Sequence, residues 1–462
     1  MKQLSAFLLV VSCFLFGGAF FASGQNYPFP QSVEFALEGA ITPNHKTAEQ
    51  LQADLKQEYD AWKSNYLVEM GTTDQGHKRY RVQMDAVDNR KTTSEAQGYG
   101  FLIVGLMAGY EPNAREIIDG LYYFFDDHRS SIDERLMDWN VAADEGPDDT
   151  GDDSAFDGDL DIAYGLMLAD LQWGSDGNVN YREAAIDVIE GLGESCIGPR
   201  SMFPLLGDWV MPSQTEQYNE NTTRPSDHAY HFFAAFGKYH SEQSSFWNKV
   251  KSTIQELDEY LQDTYASETG LLPDFVVYTE QTLQPAPAEF LEAEHDGSYN
   301  WNAGRVPWRL GMDALLNGDS VSASQVTKMI SWLSEKTGGN PNNIAPGYLL
   351  DGTAIPGRDY QSALFVAPFA VAAAAAGEDH QEFLNAIWDK TLELTGGSYF
   401  GDSVALLSLL ATSGNFWDPT AVEGGSDGDG VDGDGVDGDG SSGDGVDGGD
   451  GSGSAALRPY FY

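Results

Sequence analysis

The stretch "TTSEAQGYGFLIVG", residues 92–105, sets a carboxylate between a capping sequence and an apolar run. Thr92, Thr93 and Ser94 can cap a helix. Glu95 follows in the first turn, where an acid is favoured by the helix macrodipole. The glycines are harder to place. Gly98 and Gly100 flank Tyr99, and each glycine costs a helix roughly 1 kcal/mol relative to alanine. Two of them beside a glutamate imply that something approaches this backbone closely. Polar or acidic residues beside glycine and aromatics recur at "DGDLDIAY" (157–164), "SDHAYHFF" (226–233) and "NAGRVPWR" (302–309).

Working outward, helical periodicity dominates and the Val/Ile/Thr alternation of strands is scarce. Twelve helices are predicted, at about 47–67, 94–109, 111–128, 157–173, 179–194, 226–239, 242–266, 302–317, 321–337, 359–376, 380–395 and 399–411. The even-numbered ones tend to begin with the polar, glycine-bearing starts. The odd-numbered ones read as amphipathic surface helices, such as "AEQLQADLKQEYDAWKSNYL" (48–67). Six inner helices starting at one end, ringed by six outer ones, would gather those starts around one cleft. The expected fold is therefore all-α, an (α/α)6 barrel. Long irregular stretches at 129–156, 195–225, 267–301 and 338–358 are where function is expected in a compact domain.

The ends differ in kind. "MKQLSAFLLVVSCFLFGGAFFASG" has a basic residue, an apolar stretch and a small-residue exit, and reads as a secretory signal peptide over 1–24. The apolar stretch runs on past Cys13, which sets "VVSC" apart from a lipoprotein cleavage box. No later segment approaches transmembrane length. The chain is expected to be secreted, extracellular or periplasmic, with no membrane partner after cleavage. Cys196 is then the only cysteine, so no internal disulfide framework is expected. The folded domain spans 25–421. From 422 to 462 the composition is Gly- and Asp-rich, with nine Asp and no Lys or Arg between 427 and 450, and has almost nothing to bury. A disordered, self-repelling tail is expected there, without the spaced ligand set of an EF-hand. The net charge of −47 argues against nucleic acid as a partner. An acidic surface could attract a cationic polymer such as chitosan, although solubility or salt adaptation explains it as simply.

"AFDGDLDIAYGLMLADLQWG", 155–174, places Asp157, Asp159 and Asp161 at a helix start before a strongly apolar run. The helix dipole accounts for one or two of these acids, but not for Gly158 between two of them. The stretch resembles the signature of the family-eight glycoside hydrolases, departing from it at Phe156 and Gly165. "SEAQGYG" resembles that family's acid motif, and "TRPSDHAYHFFAAF" and "NAGRVPWRLGMDALLNGD" resemble its later blocks. The resemblance covers about 45–415, with four motifs in order. It implies an (α/α)6 barrel as the catalytic domain over 25–421, and inverting endo-hydrolysis of a β-1,4-linked polysaccharide.

Inverting hydrolysis needs one protonated carboxyl at the leaving oxygen and one carboxylate that activates water, about 6.5–9.5 Å apart. Glu95 matches the family's general acid. A helix start would lower its pKa, whereas a nearby Asp157 carboxylate would raise it. Asp157 matches the family's third acid, which contacts the sugar at the cleavage point. Asp159 and Asp161 are expected to be structural. One branch of the family has an Asp base three residues before the arginine of "RVPWR". That position is Asn302 here, before Arg305, and an amide is no base. A second branch has Asn there and takes a Glu from the preceding loop. "PAPAEFLEAEHDGSYNWNAGR" offers Glu289, Glu292 and Glu294, and "FLE" followed by "DG" resembles the second branch at Glu292.

Tyr99, Trp139, Trp173, Tyr299, Trp301, Trp308 and Tyr360 could stack on pyranose faces. Trp173 lies in an apolar helix and reads as packing, while Trp139 and Trp301 lie in long loops. Substrate contacts are expected from Tyr99, Trp139, Arg224, Asp227, Trp301, Asn302 and Arg305. His228 and His231 show no metal spacing. No metal or cofactor is expected, and the chain is expected to be a monomer acting on cellulose-type or mixed-linkage β-glucan or on chitosan. The rival readings are a non-catalytic carbohydrate-binding barrel, which retention of the three acids opposes, and an (α/α)6 polysaccharide lyase.

Overall fold

The computed structural model describes residues 24–84, 91–146, 152–213 and 217–421. Residues 1–23, read above as part of a signal peptide, and 422–462, read as a tail, lie outside the described residues. Within them the chain is predominantly helical: α1 (Ala48–Tyr66), α2 (Ser94–Leu106), α3 (Ala114–Asp127), α4 (Phe156–Trp173), α5 (Tyr181–Ser195), α6 (Tyr230–Tyr239), α7 (Ser244–Tyr265), α8 (Val306–Asn317), α9 (Ser320–Thr337), α10 (Ala363–Val366), α11 (Pro368–Ala376), α12 (Gln381–Leu394) and α13 (Tyr399–Thr412). Pro368 lacks the N–H that would continue the ladder, so α10 and α11 form one interrupted helix. The result is twelve helical units where twelve were expected.

Their packing follows the alternation in the sequence. α2 packs on α4, α4 on α6, α6 on α8, α8 on α11, α11 on α13, and α13 returns to α2, which closes a ring. Outside it, α3 lies against α2, α5 against α4, α7 against α6, α9 against α8, α12 against α11 and α1 against α13. An inner helix is covered on all sides and can be apolar all round; α4 is buried at every position from Phe156 to Ala169. An outer helix buries only one stripe, which in α1 is Leu51, Leu55, Glu58, Tyr59, Trp62 and Tyr66.

The glycines beside Glu95 belong to this packing. A Cβ on Gly98 would lie 2.7 Å from Asp161 Cβ and 2.8 Å from the Gly158 carbonyl, and one on Gly158 would overlap Ser94. The two helix starts that carry Glu95 and Asp157 therefore touch backbone to backbone. Thr93 caps α2, its hydroxyl accepting from the Ala96 N–H at 3.2 Å.

Three helix starts differ from expectation. Pro225–Asp227 and Ala303–Arg305 are 3-10 turns preceding α6 and α8, and α10 begins at Ala363 rather than 359. Asp227 and Arg305 thus sit on tight turns at the ring mouth. Among the described residues three short two-stranded antiparallel sheets also appear, β1 (Leu67–Thr72) with β2 (Lys78–Val82), β3 (Thr92–Thr93) with β4 (Asn140–Val141), and β5 (Val276–Thr279) with β6 (Thr282–Pro285). Two- to six-residue strands carry too little alternation to be read from sequence. No helix among the described residues is long and apolar enough to cross a membrane. Cys196 is a buried free thiol.

Candidate active site

Glu95 is the one residue of α2 left partly open, its side chain 18% exposed. Tyr399, at the start of α13, donates its hydroxyl to Glu95 Oε1, and Arg305 Nη1 donates to Oε2 at 3.0 Å. Burial drives the Glu95 pKa up, Arg305 opposes it and Asp157 adds to it, leaving the carboxyl at about 7. Desolvation, rather than the Asp157 charge expected from the sequence, is the larger cause of the rise.

Asp157 receives the same Arg305 Nη1 at 2.6 Å and Arg224 Nη1 at 3.2 Å. Burial pushes its pKa up too, but Arg224 and Arg305 outweigh it and hold Asp157 at about 2. Two carboxyls on one guanidinium nitrogen are thus driven to opposite protonation states, the arrangement that divides acid and electrostatic roles in a site. The other Arg305 nitrogen, Nη2, donates to Ser226 Oγ at 2.9 Å and to Asn302 Oδ1 at 3.1 Å, with Asp227 at 3.7 Å. Asp227 also lies 3.8 Å from Arg224 Nε.

Asn302 extends the network outward. Its Nδ2 donates to Glu292 Oε2 at 2.8 Å. Glu292, Glu289 and Glu294 are all exposed loop acids, but it is Glu292 whose carboxylate is bonded to the Arg305 cluster. Asp161 forms a two-point pair with Arg309 at 2.7 and 2.8 Å, and Asp159 accepts from the Met137 N–H at 2.8 Å.

The aromatics divide by burial. Tyr99, expected to contact substrate, is instead fully buried between Trp308 and Phe400 and offers no ring face. Tyr299 and Trp308 are buried as well, and Trp173 packs on Tyr181. Trp139 is half-buried, with Lys91 Nζ 5.1 Å from its ring centre. Trp301 is 37% exposed and backed by Phe365. Tyr360 is exposed. His228 and His231 are buried; the first pairs with Asp258 at 2.8 Å, the second meets the Tyr164 hydroxyl at 2.7 Å.

Three residues of the network escaped the sequence reading. Tyr399 and Ser226 lie at inner-helix starts, and "SYFGD" (398–402) shares the polar, aromatic and glycine character of the other starts, so a signal existed. Asp274 lies in "LLPDF" (271–275), which has no such mark. It accepts from the Ala303 N–H at 2.7 Å and the Asn300 N–H at 3.3 Å, and so fixes the turn before Arg305. Burial first, and Glu292 beside it, raise its pKa to about 7 against those bonds.

The profile of the Glycosyl hydrolases family 8 matches residues 29–414. The chain belongs to this family and is a glycoside hydrolase. It is 40% identical over 412 residues to a beta-glucanase of Niallia circulans, covering 89% of this chain and 95% of that one. It is 38% identical over 399 residues to an endoglucanase of Bacillus sp. (strain KSM-330), covering 85% of this chain and 82% of the relative. The solved apo structure of a beta-1,3-1,4-glucanase from Paenibacillus sp. X4 superposes with a TM-score of 0.78 at 40% identity, over 86% of this chain and 100% of that one. A cold-adapted family 8 xylanase shares the fold at 19% identity, with a TM-score of 0.65 over 84% of this chain and 98% of that one.

Proposed function

We propose that the protein is an exported, monomeric endo-β-glucanase that hydrolyses mixed-linkage or cellulose-type β-glucan with inversion, on an (α/α)6 barrel and without a metal or cofactor. The observation that carries the mechanism is the Arg305 cluster, whose Nη1 bonds both Glu95 and Asp157 and whose Nη2 is linked to Glu292 through Asn302. Glu95, at about 7, holds a proton near neutral pH, while Asp157, at about 2, stays ionised on the same guanidinium. Glu95 gives its proton to the leaving glycosidic oxygen as the C1–O bond breaks. Glu292 takes a proton from the water whose oxygen bonds to C1 from the opposite face. Asp157 offers fixed negative charge to the oxocarbenium-like centre. Trp139 and Trp301 supply ring faces for flanking sugars, and Arg224, Asp227 and Asn302 orient acids and hydroxyls. The relatives named glucanases support β-glucan ahead of chitosan or xylan.

The test is an assay of the purified chain on lichenan, carboxymethyl cellulose, chitosan and xylan, with the anomer of the first product followed by proton NMR. Fastest release from lichenan or carboxymethyl cellulose, with α-configured new reducing ends, is expected. Preference for chitosan or xylan would overturn the substrate, and β-configured products would overturn inversion.

A further inference from the structure

Glu292 lies on a stretch without helix or strand between β6 and the Ala303–Arg305 turn, and its side chain is exposed. An inverting base must hold its water in line across the sugar ring, and a misplacement of about 1 Å can cost about 100-fold in rate. Such a loop needs a fixed point. Asp296 is fully buried four residues further on. Its Oδ2 accepts from the Leu291 N–H at 2.7 Å and the Glu292 N–H at 3.0 Å, and its Oδ1 accepts from the Ala293 N–H at 2.9 Å. Three consecutive amides converge on one carboxylate. Its own backbone carbonyl accepts from the Phe275 N–H at 2.9 Å, which ties the loop to the chain just before β5. Phe290 is buried against Tyr218 and Phe275, and a Cβ on Gly297 would overlap the Ala286 carbonyl.

We propose that Asp296 is a positioning residue that aims the base, holding the Glu292 backbone while Asn302 holds its carboxylate. The inference rests on Glu292 being the base. Asp296 is not itself a candidate for that step: it is fully buried, and both its oxygens are engaged by backbone amides.

The test is a double-mutant cycle on soluble mixed-linkage β-glucan, with and without azide. Asp296→Ala should lower kcat by about 100-fold with KM changed by no more than about twofold. Asp296→Asn, which keeps one oxygen acceptor, should fall between. In the Glu292→Ala background, adding Asp296→Ala should leave the azide-supported rate unchanged, because a residue acting only through Glu292 has no effect once Glu292 is gone. An azide-supported rate that falls by the same factor as in the parent enzyme would show a general structural role and overturn the proposal. So would a raised KM with unchanged kcat. If Asp296→Ala does not fold, Asp296→Asn carries the same two readouts. Normal turnover in Glu292→Ala would sink the base assignment and this inference with it; azide rescue of Glu292→Ala together with normal kcat in Asp296→Ala would sink the clamp alone.

Discussion

Glu95 and Glu292 stand at the two ends of one hydrogen-bond network, yet their supports are opposites. Glu95 rises from a helix wedged against α4 at the Gly98 and Gly158 contacts, with little exposed surface. Glu292 sits on an exposed loop and reaches the network through one Asn302 amide. The proposed roles, Glu95 as general acid and Glu292 as base, account for the contrast. A general acid must keep its proton near neutral pH, and burial in the ring wall raises Glu95 to about 7. A base must reach water, which an exposed position on the rim allows.

Glu95→Gln should have the largest effect, a loss of about 10³-fold in turnover with unchanged melting temperature, since the amide cannot donate the required proton. Substantial turnover of a polymeric substrate by this variant would remove Glu95 from the acid role. Next, Glu292→Ala should lose about 10²-fold or more and recover with azide. Glu289→Ala and Glu294→Ala, whose side chains are exposed, should stay within about twofold, as surface changes usually do. A reversal of that order would move the base along the loop.

Asn302→Asp sharpens the contrast further. It replaces the 2.8 Å donor to Glu292 with a like charge, and turnover should fall about tenfold. Its acid limb should move to higher pH, because adjacent carboxylates resist joint ionisation. Gain of activity would show that a base at position 302 can replace the one on the loop. Gly158→Ala tests the wall. Its methyl meets Ser94, so α2 and α4 must separate, costing about 1–3 kcal/mol in a denaturant melt, with activity falling as Glu95 shifts. A neutral result would mean that the helix contact is more compliant than it looks.

The smallest effect is the pH profile. kcat/KM should decline above about pH 7 as Glu95 loses its proton, and Asp157, at about 2, should add nothing to the acid limb in the working range. Because Glu95 is raised in the folded state, its contribution to stability is complete below its ordinary 4.5 and is lost as pH rises through about 7. A basic limb well above 7 would place the acid elsewhere.

The twelve helices, their alternation and the places where chemistry enters the chain are legible in the residues alone, because apolar periodicity and helix starts are local properties. The sequence also marked Glu95, Asp157 and Arg305, whose neighbours resemble one family's motifs, and left three acids in one loop. The rest follows from how the helices pack. The closed ring brought Tyr399 to Glu95 across 304 positions of sequence, and buried Tyr99, whose helix position reads equally well as wall or lining. It set one of three loop acids that look alike in the chain, Glu292, against Asn302. Protonation was decided last and farthest from the sequence. Glu95 and Asp157 occupy similar helix starts and share one arginine, yet lie near 7 and near 2, because desolvation prevails at the first, whereas Arg224 and Arg305 together prevail over it at the other.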